Sequence, residues 1–230
     1  MFAFQPTRGA ATSLRVLARL LRYPDAQLRE QLPAMRAALH EARALSAARL
    51  AELDRLIDAI GRADALAAES DYVELFDRGH STSLHLFEHV HGDSRDRGPA
   101  MIDLAQTYEK AGLYLAPGEL PDYLPAVLEF VSTQPPREAA AFLSEMAHIF
   151  TAIFSALRER ASPYASVLGA LLELAGEKAQ AVALAAEPAL DETWVEPPVF
   201  DGCSTRGQAK PGQPQPIHIV RKSAHPGVAP

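Results

Sequence analysis

The run Phe142-Leu143-Ser144-Glu145-Met146-Ala147-His148-Ile149-Phe150-Thr151-Ala152-Ile153-Phe154-Ser155-Ala156-Leu157 places large apolar residues at 142, 146, 149, 150, 153, 154 and 157. Steps of three and four are the repeat of an α-helix with a wide buried stripe, and they predict one long helix here. Upstream, Pro135-Pro136 breaks the chain, and before it Leu120, Leu124, Val127, Leu128 and Val131 mark another helix. Downstream, Ser162-Pro163 starts a last helix carrying Val167, Leu168, Leu171 and Leu172.

The same period runs through the first half. Leu14, Leu17, Leu20 and Leu21 share a face opposite Arg15, Arg19 and Arg22, and Tyr23-Pro24-Asp25 ends that helix and starts the next. Leu28, Leu32, Met35 and Leu39 follow, with Pro33 inside the pattern, where a proline kinks or divides a helix. Leu50, Leu53, Leu56, Ile57 and Ile60 form a third face, with Gly61 where a C-terminal cap belongs. A fourth helix is expected from about Asp64 to Asp77, burying Leu66, Tyr72, Val73, Leu75 and Phe76. Ser81-Thr82-Ser83 offers capping oxygens for Leu84 to His91. Pro99 then begins a helix with Met101, Leu104, Ala105 and Tyr108 on one face and Gly112 as its cap. No alternating β-branched run and no fixed repeat is present, so the expected fold is all-α.

Composition changes at the end of this pattern. Residues 197–230 hold seven prolines and four glycines and carry four cations against Asp201 alone. Such a segment cannot repay its ordering entropy. The expected layout is a flexible N-terminus over 1–12, a single-domain helical bundle over 13–196 and a flexible Pro/Gly-rich tail over 197–230.

The 230 residues carry 22 Lys+Arg against 29 Asp+Glu, a net charge of −7, and 48% are hydrophobic. An acidic chain is a poor general ligand for nucleic acid, although Arg15, Arg19, Arg22 and Arg29 cluster near the start. No apolar run of transmembrane length and no export signal is seen, which points to a cytoplasmic protein without membrane insertion. The single cysteine, Cys203, leaves no disulfide or cysteine metal site.

Three runs bear on chemistry. His80, His85, His89 and His91 fall within twelve residues, and His85 and His89 are four apart with Glu88 beside them. On one helix face they would hold a metal, the basis of an alternative reading as a small helical metalloenzyme. The order His-Leu-Phe-Glu-His lacks the spacing of a hydrolytic zinc helix, so ordinary hydrogen bonding is favoured. The second run, His91 to Gly98, alternates charge. Arg95 and Arg97 there are either carboxylate clamps or part of a solvated turn. The third, Glu119-Leu120-Pro121-Asp122-Tyr123-Leu124-Pro125, has two acids before a helix, as its dipole favours, with an aromatic among them.

Taken in order, Tyr72-Val73-Glu74-Leu75-Phe76-Asp77-Arg78-Gly79, then Ser83 to Gly98, then Glu119 to Pro125 closely resemble the redox-enzyme maturation chaperone family, in its nitrate reductase molybdenum cofactor assembly branch. The opening helix ending Leu20-Leu21-Arg22-Tyr23-Pro24-Asp25 is also similar to that family's start, and the resemblance covers roughly residues 14 to 196. It implies a cytoplasmic all-helical chaperone without catalytic activity and with no permanently bound cofactor. It implies further a partner, the N-terminal segment of the catalytic α-subunit of respiratory nitrate reductase. The chaperone holds that subunit competent for molybdenum cofactor insertion and delays its docking to the membrane subunit. The resemblance maps peptide recognition onto Tyr72–Phe76, Leu86–His91 and Glu119–Leu124. Many family members carry His after the Pro-Asp pair, where this chain has Tyr123.

The residue types suit that role. A helical protein takes a partner helix by laying apolar anchors along a groove with polar residues at its rim. Tyr72, Phe76, Leu86, Phe87, Tyr123 and Leu124 are candidate walls, and Asp77, Glu88, Glu119 and Asp122 candidate rim acids. His89 and His91 add imidazoles to the same segment. The acidic body would attract a basic peptide.

Overall fold

The computed structural model describes residues 8–91 and 96–182, and of His91 the backbone only. Ten α-helices run in order: α1 (Arg8–Leu20), α2 (Ala26–Ala42), α3 (Ala47–Arg62), α4 (Ala65–Phe76), α5 (Leu86–His91), α6 (Arg97–Lys110), α7 (Leu124–Thr133), α8 (Pro136–Glu145), α9 (Ala147–Glu159) and α10 (Ala165–Leu174). A 3-10 turn, His80–Thr82, lies between α4 and α5. The all-α expectation is met: the one β feature among the described residues is an isolated antiparallel bridge, His85 to Tyr123. The tail 197–230 and Cys203 lie outside the described residues. Residues 8–12, counted with the N-terminus in the sequence reading, are the first turn and a half of α1.

At the centre, α1 packs on α7 and α2, α9 packs on α10, and α10 reaches α3. Leu14, Leu17 and Leu20 of α1, Leu124 and Leu128 of α7, Phe150 and Ile153 of α9, and Leu168 and Leu171 of α10 are essentially inaccessible. Each such side chain contributes about 1.5–3 kcal/mol of transfer free energy. Asp25, Ser46 and Asp64 cap α2, α3 and α4 by accepting backbone N–H bonds.

Several expectations change. The apolar run 142–157 is two helices, α8 and α9, bent by 58° at Met146. His148 Nδ1 lies 3.0 Å from the Glu145 carbonyl, so a side chain occupies an acceptor at the break. The bend turns Leu143 and Phe150 into the same core. Pro33 leaves α2 continuous: it sits on the exposed side, where water can serve the carbonyl that lost its partner. Gly61 lies inside α3, with Ala63 as the cap, and a methyl group added there would sit against Leu32 of α2. Leu120 precedes α7 rather than joining it and is 45% exposed. Among the described residues no single helix is long and apolar enough to cross a membrane; the bent pair α8–α9 passes only jointly, and its large apolar residues pack in the core.

Candidate functional site

A groove of about 410 Å³ opens between the end of α1, helix α4, the strand-like residues 84–85 and the loop before α7. Its floor and walls are aromatic. Tyr72 and Phe76, one turn apart on α4, have ring centroids 4.8 Å apart. Tyr23 meets Tyr72 edge-on at 5.7 Å, and His85 lies 5.5 Å from Tyr123 at a shallow angle. Leu84 and Leu120 complete the apolar lining, and Asp77 and Glu119 stand at its edge.

Hydrogen bonds fix the rings. The Tyr72 hydroxyl donates to the Leu21 carbonyl at 2.7 Å, so at 3.3 Å the Tyr123 hydroxyl is the donor to Tyr72. Burial raises both phenols above their ordinary range, so they stay protonated. The Tyr23 hydroxyl, on a ring 42% exposed, donates to Glu69 at 3.0 Å. Arg22 holds Glu119 at 3.0 Å and Glu129 at 3.1 Å.

The loop that carries Glu119 and Tyr123 is pinned by one residue. Asp122 is fully buried. Its carboxylate accepts the Phe87 backbone N–H at 3.2 Å and lies 3.2 Å from His85 Nδ1 and 3.7 Å from Arg97. Its carbonyl accepts the Leu86 N–H at 3.0 Å, while Leu124 N–H donates to the Leu84 carbonyl at 2.8 Å. Asp122 thus caps the start of α5 from 35 residues away. Ser83, one of the residues expected to cap that segment, accepts the His85 N–H through Oγ at 3.2 Å, just ahead of the helix. The bond to Asp122 raises the pKa of His85 above its usual value, ahead of the opposing effect of burial. Tyr108 donates to the Pro121 carbonyl at 2.8 Å, and Gly118, at φ +85°, makes the turn that L side chains resist.

Of the sequence candidates, the structure brings Tyr72, Phe76, Glu119 and Tyr123 together in this groove. Leu86, Asp122 and Leu124 are interior, at 1%, 0% and 0% exposure. They offer a partner no surface and instead hold the groove's two backbone segments in register. Glu88 is engaged by Arg97 at 3.4 Å, and His89 Nε2 lies 2.9 Å from the Ser83 carbonyl. Phe87 is half-buried on α5, and the His91 side chain and Arg95 lie outside the described residues. Arg97 is a carboxylate clamp, but for the chain's own Glu88 and Asp122. Tyr23, Leu84 and His85 join the groove without having been singled out for it, and Leu120 joins it from the mapped Glu119–Leu124 run. Tyr23 read as a helix terminator; the signal that could have found it is a large aromatic at a position that needs none.

The metal alternative loses its premise, since His85 precedes α5 and does not share a helix face with His89. Among the described residues no three His, Cys, Asp or Glu side chains converge.

Residues 22–169 match the nitrate reductase delta subunit family. The chain belongs to that family. Over 162 residues it is 43% identical to the nitrate reductase molybdenum cofactor assembly chaperone NarJ of Escherichia coli K12, covering 70% of this chain and 69% of that one. It is 31% identical over 167 residues to a probable chaperone of the same name from Bacillus subtilis, covering 72% of this chain and 89% of that one. Among solved structures, a putative redox enzyme maturation protein from Archaeoglobus fulgidus shares the fold. Its TM-score is 0.55 at 22% identity, over 77% of this chain and 99% of that one. Both family relatives are named as assembly chaperones, in keeping with a non-catalytic member. The family match spans every residue that lines the groove, from Tyr23 to Tyr123.

Proposed function

We propose that this chain is a cytoplasmic maturation chaperone for a respiratory nitrate reductase. Its groove binds the N-terminal segment of the catalytic α-subunit, keeps that subunit competent for molybdenum cofactor insertion and delays its docking on the membrane subunit. The chaperone itself holds no permanent cofactor. The observation that carries the reading is an aromatic groove edged by Asp77 and Glu119 in a member of a family whose relatives are named for this assembly step. Rings on its floor offer anchors to an amphipathic helix, and the carboxylates favour a basic flank. Tyr72, Phe76, Glu119 and Tyr123 are proposed contacts, joined by Tyr23, His85 and Leu120. Phe87, Glu88, His89 and His91 on α5 are proposed to extend the surface.

Calorimetric titration with a synthetic peptide of the α-subunit N-terminus tests this. Saturable one-to-one binding, lost with a scrambled peptide and weakened by Tyr123→Ala, supports it. Equal heats from native and scrambled peptides, or no binding by either the peptide or the whole apo-subunit, overturns it.

A further inference from the structure

A second cavity, of about 550 Å³, lies between α3, α9 and the start of α10 and shares no residue with the aromatic groove. Three arginines line it: Arg49 and Arg55 from α3 and Arg158 from the last turn of α9. All three border this one cavity although the chain as a whole is acidic.

The three differ in state. Arg49 is fixed: it pairs with Glu52 and lies 3.7 Å from Glu173, and its side chain is only 14% exposed. It reaches across α10 at Gly169, where a Cβ would overlap the guanidinium. Arg55 and Arg158 are exposed and pair with no carboxylate among the described residues. Among the described residues one carboxylate, Glu52, lines the cavity beside three guanidinium groups. Between them the chain turns through Ala161, at φ +50°, where a residue with a Cβ is strained. That turn brings Ser162 to the wall. Ser162 Oγ accepts the Tyr164 N–H at 3.3 Å, leaving its own proton for another acceptor. Phe154 supplies an apolar surface beside these groups.

Two planar forks unpaired among the described residues, a hydroxyl donor and an apolar wall form a set that matches phosphate oxygens on an organic body. The volume is that of a small-molecule site. We propose that this cavity binds a phosphate-bearing small molecule, with Arg55 and Arg158 clamping the phosphate and Arg49 forming a fixed base.

Inorganic pyrophosphate is the probe, titrated by calorimetry into the full chain at constant ionic strength, because screening would mimic a loss of affinity. Saturable binding is expected, weakened at least about tenfold in Arg55→Gln/Arg158→Gln and less in Arg55→Lys/Arg158→Lys, which keeps charge but not the fork. Both positions are exposed, so circular dichroism should show the variants folded. Absence of saturable binding, or equal binding by the double Gln variant, overturns the proposal. So does binding only to phosphatidylglycerol vesicles, which would mark a membrane-facing surface instead. Client-peptide affinity should be unchanged in these variants, so the two sites succeed or fail separately.

Discussion

Leu17 on α1 and Leu168 on α10 are fully buried, and so are residues three or four positions away from each. Among the segments that build the aromatic groove such regularity is confined to α4, where Ala68, Tyr72 and Phe76 are buried four apart. Elsewhere in the groove the decisive contacts are single ones: Asp122 to Phe87, Leu124 to Leu84, Tyr72 to Leu21. The core is held by many interchangeable apolar contacts and the groove by a few polar ones that have no substitute. A core of the first kind tolerates a lost methyl group at graded cost, whereas a buried carboxylate removed leaves its donors stranded.

That contrast is sharpest at Asp122. Asp122→Ala should cost about 3–5 kcal/mol in urea unfolding, since it strips partners from Phe87 N–H, His85 and Arg97 together. Asp122→Asn, which keeps an acceptor, should cost less. A loss below about 1 kcal/mol for the alanine variant would mean that the groove is not pinned there and the contrast fails. Leu17→Ala should cost about 2–5 kcal/mol by the same measurement while the folded fraction binds client peptide normally. If affinity falls as well, core and groove are coupled.

Smaller effects refine the picture. Tyr72→Phe removes the donor to Leu21 and the acceptor for Tyr123 and should cost about 1–2 kcal/mol, read from the thermal midpoint. The finest test uses protons. The pKa of His85 is raised in the folded state, so its pairing with Asp122 stabilises fully below the ordinary His value of 6.5 and is lost as pH rises through the raised value. Urea midpoints measured across that interval should fall in the parent, and the fall should be shallower in His85→Gln. Identical slopes would show that this pair does not contribute to stability.

The helices were legible because apolar spacing encodes them directly: Leu28, Leu32, Met35 and Leu39 are buried on α2 as their spacing requires. The break at Met146 was not, because apolar residues continue through it and only the backbone changes direction. For the groove, the residue types were visible but not their roles. Leu86 and Leu124 look like walls in sequence and are interior, while Tyr23 looks like a terminator and lies on the wall. Deciding between these needs knowledge of which distant backbone segments meet. The bridge between His85 and Tyr123 is not foretold by anything local to either.

The bridge has a consequence in time. Residues 35 to 51 positions apart must meet before Asp122 can cap α5 or Tyr72 can touch Leu21 and Tyr123. Closing such loops costs entropy that is recovered only after the ends are in place, so contacts of this span form late. Helices α1 to α4 can take shape while the chain is still emerging from the ribosome, but the groove waits for residue 124. A partly made or partly folded copy therefore has no groove, and under the proposed function competence to bind a client arrives only with completion of the fold around it.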